Sequence, residues 1–183
     1  MKETIEQLFS LVDNLIVSEN TKIDIKHLIQ SFAMRYYRKN AGLPYDNNAY
    51  HSYVFLGDDT KSQIGAAIII AKAFNSFGFL PEDKIVITNK EEIISLGHEQ
   101  ISTQMVKIVD KAIGGVLFIE KFDELFNKEV YQAIYILIDE MYKRGQQFVV
   151  IVSGDTLKME SIFKSEDTIH ARFQSAIYFD DSF

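Results

Sequence analysis

Apolar runs and polar turns alternate along the chain, and they predict strands and helices in turn. The run at 53–56 is short and ends at Gly57, which is typical of a buried parallel strand. Residues 64–77 form a longer apolar stretch, which favours a buried helix. Strands that alternate with helices predict a parallel α/β sheet of about five strands, covered by helices on both faces. The other strands are expected at 84–88, 114–120, 148–152 and 176–179, with intervening helices around 104–112 and 131–143.

Two amphipathic helices are predicted before the first strand. Residues 2–17 and 21–39 carry apolar side chains at helical spacing, and the polar residues 18–20 separate them. Gly42 and Pro44 end the second helix. We therefore expect an N-terminal helical segment over residues 1–50 that leads into an α/β core over 51–183.

Composition and charge exclude several classes of function. A chain of 183 residues is long enough for one domain with a sizeable core. Its net charge of −7 argues against a nucleic-acid partner and against an acidic membrane surface. The sequence has no cysteine, which rules out disulfides and thiolate metal sites, and we expect no metal site of another kind. Without a signal-peptide core or a membrane-length apolar run, a cytoplasmic protein is the expectation.

The segment that follows the first predicted strand has the setting of a phosphate-binding loop. A strand, a glycine turn and a helix are the context in which main-chain N–H groups and a lysine hold phosphates. That motif requires glycine, four residues, and then Gly-Lys-Ser/Thr. Counted from Gly57, its lysine position falls on Gln63 and its hydroxyl position on Ile64. The pair Lys61-Ser62 resembles the missing residues but comes two positions early.

Charge also argues against a phosphate ligand at this turn. Asp58 and Asp59 would place two carboxylates beside a triphosphate, and like charges about 4 Å apart repel by roughly 4 kcal/mol at an effective dielectric of about 20. We therefore expect neither ATP nor magnesium as a cofactor. The vestigial nucleotide-binding positions are Gly57, Asp58, Asp59, Thr60, Lys61, Ser62, Gln63 and Ile64.

Several segments together resemble one known family. Residues 110–119, Asp-Lys-Ala-Ile-Gly-Gly-Val-Leu-Phe-Ile, are similar to the Walker B strand of AAA+ domains of the CbbX and SpoVK type. Residues 38–44 and 53–57 resemble the lead-in and first strand of that family, and residues 149–154 its sensor-one strand. The resemblance covers nearly the whole chain, from about residue 11 to 181. It implies a P-loop NTPase fold of the AAA+ kind, a three-layer sandwich.

The resemblance also assigns vestigial roles to individual residues. Glu120 and Lys121 stand where the family has the Asp-Glu of Walker B, so Lys121 cannot orient an attacking water. Ser153 takes the sensor-one position and Arg172 the arginine-finger position. Gly97 stands where the family's pore loop has an aromatic residue. The chain ends about where the family's helical lid would begin, and we expect no lid domain.

Three functions remain compatible with the sequence. The first is a pseudo-ATPase that works through protein–protein association, as a regulator, adaptor or inhibitor of a cytosolic partner. The second is a weak ATP-binding protein or slow ATPase that uses Lys61 or Lys121. The third is a non-hydrolysing subunit of a mixed ring that offers Arg172 to an active AAA+ homologue. The first is favoured, and the second ranks last because three substitutions would need compensation, so no catalytic residue is assigned.

Overall fold

The computed structural model describes residues 2–46, 52–173 and 175–179. Over these residues the chain forms a parallel five-stranded sheet in the order β2-β3-β4-β1-β5. The strands are β1 (Ser52–Leu56), β2 (Ile85–Thr88), β3 (Val116–Ile119), β4 (Val149–Gly154) and β5 (Ser175–Tyr178). The helices are α1 (Ile5–Asp13), α2 (Glu19–Asn40), α3 (Thr60–Ser76), α4 (Lys90–Ile93), α5 (Ile101–Ala112), α6 (Gln132–Arg144), α7 (Thr156–Ser165) and α8 (Asp167–Arg172).

Helices cover both faces of the sheet, which confirms the predicted three-layer α/β sandwich. One core forms between the sheet and helices α1, α2 and α3, and the other between the sheet and α5, α6, α7 and α8. Successive residues of β1 point to opposite cores: Phe55 packs toward α3, whereas Val54 and Leu56 face the other layer. Every residue of β1 is therefore buried, which explains its continuous apolar run.

Several predicted element bounds were wrong at their polar ends. The first helix extends only over Ile5–Asp13, because a capping box between Thr4 and Gln7 fixes its start. Helix α3 begins at Thr60 and not at residue 64, since an aspartate side chain caps it there. The apolar pattern marks only the buried part of a helix, so it does not predict a first turn made of polar residues. Helices α4, α7 and α8 were not predicted from the sequence.

Most of the polar segment at 45–50, which leads into β1, and the C-terminal Asp180 and Asp181 lie outside the described residues. Within the described ranges, no helix has the length and apolar character needed to cross a membrane.

Candidate functional site

The positions matched to nucleotide chemistry meet at the carboxyl edge of the sheet. Strands β3, β4 and β1 are neighbours, so the residues that end them lie side by side. Glu120 follows β3, Ser153 lies near the end of β4, and Gly57 follows β1. The N–H of Gly57 donates to the carbonyl of Gly154 at 3.0 Å, which ties the turn after β1 directly to β4.

The turn between β1 and α3 contains only Gly57, Asp58 and Asp59. Gly57 has a φ of +129°, which favours glycine. A Cβ atom at Gly57 would lie 2.2 Å from the carbonyl oxygen of Phe179. The N–H of Phe179 in turn donates to the carbonyl of Leu56 at 2.7 Å. The chain after β5 therefore packs closely against this turn.

Oxygen atoms of the turn itself accept hydrogen bonds from the first turn of α3. The carboxylate of Asp59 accepts from the N–H of Ser62 at 3.2 Å, and its carbonyl accepts from Gln63 N–H at 3.0 Å. The carbonyl of Asp58 accepts from Thr60 N–H at 2.9 Å. A carboxylate at a helix N-terminus is favoured by the helix dipole and by the unpaired N–H groups there. Asp59 thus holds the position that an anion would take at the start of this helix.

Side chains of α3 and of the N-terminal segment complete the junction. Gln63 is 1% exposed, and its Nε2 donates to the carbonyl of Gly57 at 3.0 Å. The Ser62 hydroxyl donates to the carbonyl of Ile16 at 3.2 Å, so the connection between α1 and α2 lies over the first turn of α3. Lys61 is exposed. The hydroxyl and the carboxamide that follow Lys61 are therefore both engaged by the protein's own backbone.

The residues after β3 form a compact turn. Glu120 is half-buried, and its carboxylate lies 3.5 Å from Nδ2 of Asn89. Lys121 is exposed and adopts a left-handed backbone with a φ of 50°. Asp123 Oδ1 accepts from the N–H of Asp155 at 3.3 Å, which links this turn to the end of β4. Across the described ranges, no group of three histidine or acidic side chains is placed to hold a metal ion.

Arg172 lies apart from this edge, beside α6. Its guanidinium carbon is 5.3 Å from the centre of the Tyr142 ring. Together with Tyr131, Tyr135 and Glu166, Arg172 lines a surface cavity of about 380 Å³. Partial burial and the nearby Glu166 carboxylate raise the pKa of Tyr131, so its phenol stays protonated. Two of these aromatic side chains are largely exposed, with Tyr135 at 67% and Tyr142 at 74%.

Sequence reasoning missed three contributors to the junction: the cap at Asp59, the covering backbone at Ile16 and the contact with Phe179. Asp59 stands three residues before Ser62 at the start of the helix, and aspartate is a preferred N-cap residue. Its capping role could therefore have been predicted from the sequence. The contacts of Ile16 and Phe179 join segments far apart in sequence. No local pattern predicts contacts of that kind.

The cap at Asp59 has a measurable consequence for stability. Replacing Asp59 with alanine leaves the N–H of Ser62 without its acceptor, and we expect the free energy of unfolding to fall by about 1 kcal/mol. Urea denaturation measures this loss. Asp155→Ala is the matched control, because Asp155 caps α7 through Lys158 N–H at 3.0 Å and should cost a similar amount. An Asp59→Ala protein as stable as the wild type would contradict the assigned cap.

Proteins of known sequence place the fold and the site in context. The chain is 26% identical to protein CbbX of Cereibacter sphaeroides over 98% of its length, and 24% identical to stage V sporulation protein K of Bacillus subtilis over 91%. It is 23% identical to the ESX-1 secretion system protein EccA1 of Mycolicibacterium smegmatis over 92%. No known family model matches the chain.

Solved structures agree with these relatives. The Caenorhabditis elegans PCH-2 structure superposes with a TM-score of 0.62 at 11% identity, over 96% of this chain and 47% of that one. The AAA domain of FIGL-1 in complex with ADP gives 0.57 at 12%, over 98% and 63%. The chain is an AAA+ domain related to CbbX and stage V sporulation protein K. It spans 59% of CbbX, 53% of the sporulation protein and 32% of EccA1.

Proposed function

We propose that this AAA+ domain is a pseudo-ATPase that acts through association with another protein. The observation that carries the proposal is the geometry of the turn between β1 and α3. The three residues 57–59 separate strand from helix, and the carboxylate of Asp59 already accepts from the helix start. The residues present do not fit a nucleotide phosphate, because the negative charges of Asp58 and Asp59 would repel a further anion there.

The two side chains that follow Lys61 support the same conclusion. Ser62, the hydroxyl that follows Lys61, donates to the carbonyl of Ile16, and the carboxamide of Gln63 is buried against Gly57. A phosphate-binding loop needs main-chain N–H groups and a hydroxyl that face the ligand. Here Thr60, Ser62 and Gln63 direct their N–H groups to oxygens of residues 58 and 59 instead.

The turn after β3 supports the absence of hydrolysis independently. Hydrolysis at a P-loop depends on a residue that positions the attacking water. At the corresponding position the chain has Lys121, a cation that cannot accept a proton from water while it is charged. Glu120 can hold a charge at the end of β3, but it contacts Asn89 rather than a partner from the turn after β1.

Association with a protein is supported by the surface around Arg172. Tyrosine and arginine are enriched at protein interfaces, and Tyr135, Tyr142 and Arg172 lie together on α6 and α8. EccA1 is by its name a component of a secretion system, so at least one relative works among other proteins. The same surface favours a second candidate, a non-hydrolysing subunit that presents Arg172 to an active AAA+ neighbour.

Titration calorimetry with ATP or ADP and magnesium tests the pseudo-ATPase directly. We expect no saturable heat at millimolar nucleotide, because the Asp59 carboxylate already accepts from the helix start and the charges of Asp58 and Asp59 repel phosphates. An active P-loop ATPase titrated in the same buffer is the positive control. A saturable isotherm in the micromolar range would overturn the proposal.

A further inference from the structure

Strand β5 lies at one edge of the sheet that the described residues form. Strand β5 pairs with β1 on one side and ends the sheet on the other. In a parallel pair, the main-chain groups of every second residue point toward the neighbouring strand. The N–H of Phe179 donates to the carbonyl of Leu56, so the main-chain groups of Ile177 and Phe179 point toward β1. The N–H and C=O groups of Ala176 and Tyr178 consequently point away from the sheet.

An independent contact confirms this direction. The hydroxyl of Thr21 on α2 donates to the carbonyl of Tyr178 at 2.7 Å, from the side opposite β1. That bond caps one outward group at the carboxyl end of β5. Among the described residues, nothing donates to or accepts from the outer side of Ala176. Ala176 itself is exposed.

A cavity flanks this edge on each face of the sheet. The larger one, of about 580 Å³, has an apolar floor of Val54, Leu56, Phe163 and Phe173. The smaller one, of about 350 Å³, lies between β5 and the side of α2 that carries Leu28. The two cavities meet at Ser175 and Ala176, which line both. A strand paired with β5 would direct alternate side chains into the two cavities.

The charges around the edge indicate the chemistry of such a strand. Asp24 lies beside the smaller cavity, and Glu160 and Asp167 beside the larger one, against the single cation Lys164. His27 and His170 add further polar groups to the two rims. Glu160 is held at the edge by the Tyr178 hydroxyl, which lies 3.0 Å from its carboxylate. The rims are therefore acidic around an apolar floor.

We infer that the outer edge of β5 binds an extended segment of a partner protein in which apolar residues alternate with lysine or arginine. The segment adds to the sheet as a sixth strand, through the outward N–H and C=O of Ala176. Its apolar side chains enter the cavity floored by Val54 and Leu56, and its cations, which alternate with them, face Asp24 beside the smaller cavity. The inference deepens the proposed protein association by giving that association a surface and a ligand chemistry.

The test uses the whole ¹⁵N-labelled chain and a synthetic peptide. The probe is acetylated, amidated Lys-Val-Arg-Leu-Lys-Val-Arg-Leu, and a peptide of the same composition without alternation serves as its control. We expect the alternating peptide to shift the amide signals of Ala176 and Tyr178 and to slow their hydrogen exchange. Equal shifts with the non-alternating peptide would mean charge attraction alone and would overturn the inference.

Two variants separate strand addition from other binding modes. Ala176→Pro removes an outward N–H without breaking a bond to β1, and we expect affinity to fall about tenfold or more. Ile87→Pro makes the matched change on β2, the opposite edge strand, and should leave affinity unchanged. A second variant, Asp24→Lys, changes only an exposed side chain and should weaken binding about fivefold. Unaltered affinity in both Ala176→Pro and the charge reversal would overturn the inference.

Light scattering on the same samples identifies a competing occupant. We expect the peptide-free wild type and Ala176→Pro to have the same mass. A wild-type dimer that Ala176→Pro dissociates would show that a second copy of this chain pairs with β5, and would overturn the inference. The peptide result is independent of the calorimetry, because nucleotide binding would refute the pseudo-ATPase and leave the β5 edge untouched.

Discussion

Replacing Gly57 with alanine is expected to lower the free energy of unfolding by about 4 kcal/mol, and the melting temperature by about 10 °C. Two effects combine at this position. The φ of +129° is strained for any residue with a Cβ, and the new Cβ would lie 2.2 Å from the carbonyl oxygen of Phe179. That oxygen belongs to the backbone and cannot move without disturbing the bond from Phe179 to Leu56. Calorimetric melting and urea denaturation measure the loss.

Gly78→Ala is the matched control for this substitution. Gly78 also has a positive φ, of +77°, but a Cβ there would have no neighbour within 4 Å. Its cost should therefore be the backbone strain alone, about 1 kcal/mol. The difference between the two variants isolates the contact with Phe179. If both variants lost the same stability, the close packing of Phe179 on the turn would be wrong.

The sheet could be predicted from the sequence because its strands are buried on both sides. In β1 and β4 every residue is buried, so apolar character alone marks their positions. Edge strands gave a weaker signal: β2 has an exposed residue at Ile87, and its predicted start at 84 was one residue early. The fold thus follows from burial, which is a property that local sequence records well.

The site was predictable only in part, because its geometry depends on polar residues and on distant segments. Glu120, Ser153 and Gly57 were given vestigial nucleotide roles from the sequence, and the structure places them at the ends of adjacent strands. The start of α3 was placed four residues late, since Thr60 to Gln63 carry no helical apolar pattern. Arg172 was assigned by resemblance, and no sequence pattern predicted its position over Tyr142.

Lengthening the turn after β1 should create a nucleotide site where the wild type has none. The structure places Lys61 and Ser62 in the first turn of α3, which is where the motif needs its lysine and hydroxyl. The turn before them lacks two residues and a glycine. The variant therefore carries Asp58→Ala, Asp59→Ala and Thr60→Gly, with Gly-Thr inserted after residue 59, which yields Gly-Ala-Ala-Gly-Thr-Gly-Lys-Ser.

This variant is expected to bind ADP with magnesium at least about 100-fold more tightly than the wild type, a difference of about 3 kcal/mol. Removing Asp59 frees the N–H of Ser62, and removing both carboxylates takes away the repulsion of a diphosphate. Titration calorimetry measures the affinity, and circular dichroism confirms that α3 is retained. Adding Lys61→Ala to the rebuilt turn is the control, and it should abolish the gain.

Turnover should stay absent from the rebuilt protein, because the turn after β3 still presents Lys121 in place of an acid. Adding Lys121→Glu supplies a carboxylate at the end of β3, next to Glu120, and phosphate release then reports whether hydrolysis follows. ATP hydrolysis without Lys121→Glu would refute the assignment of that position. A folded variant with the longer turn and no ADP binding would show that features beyond the turn, such as the cover of Ser62 by Ile16, exclude the nucleotide.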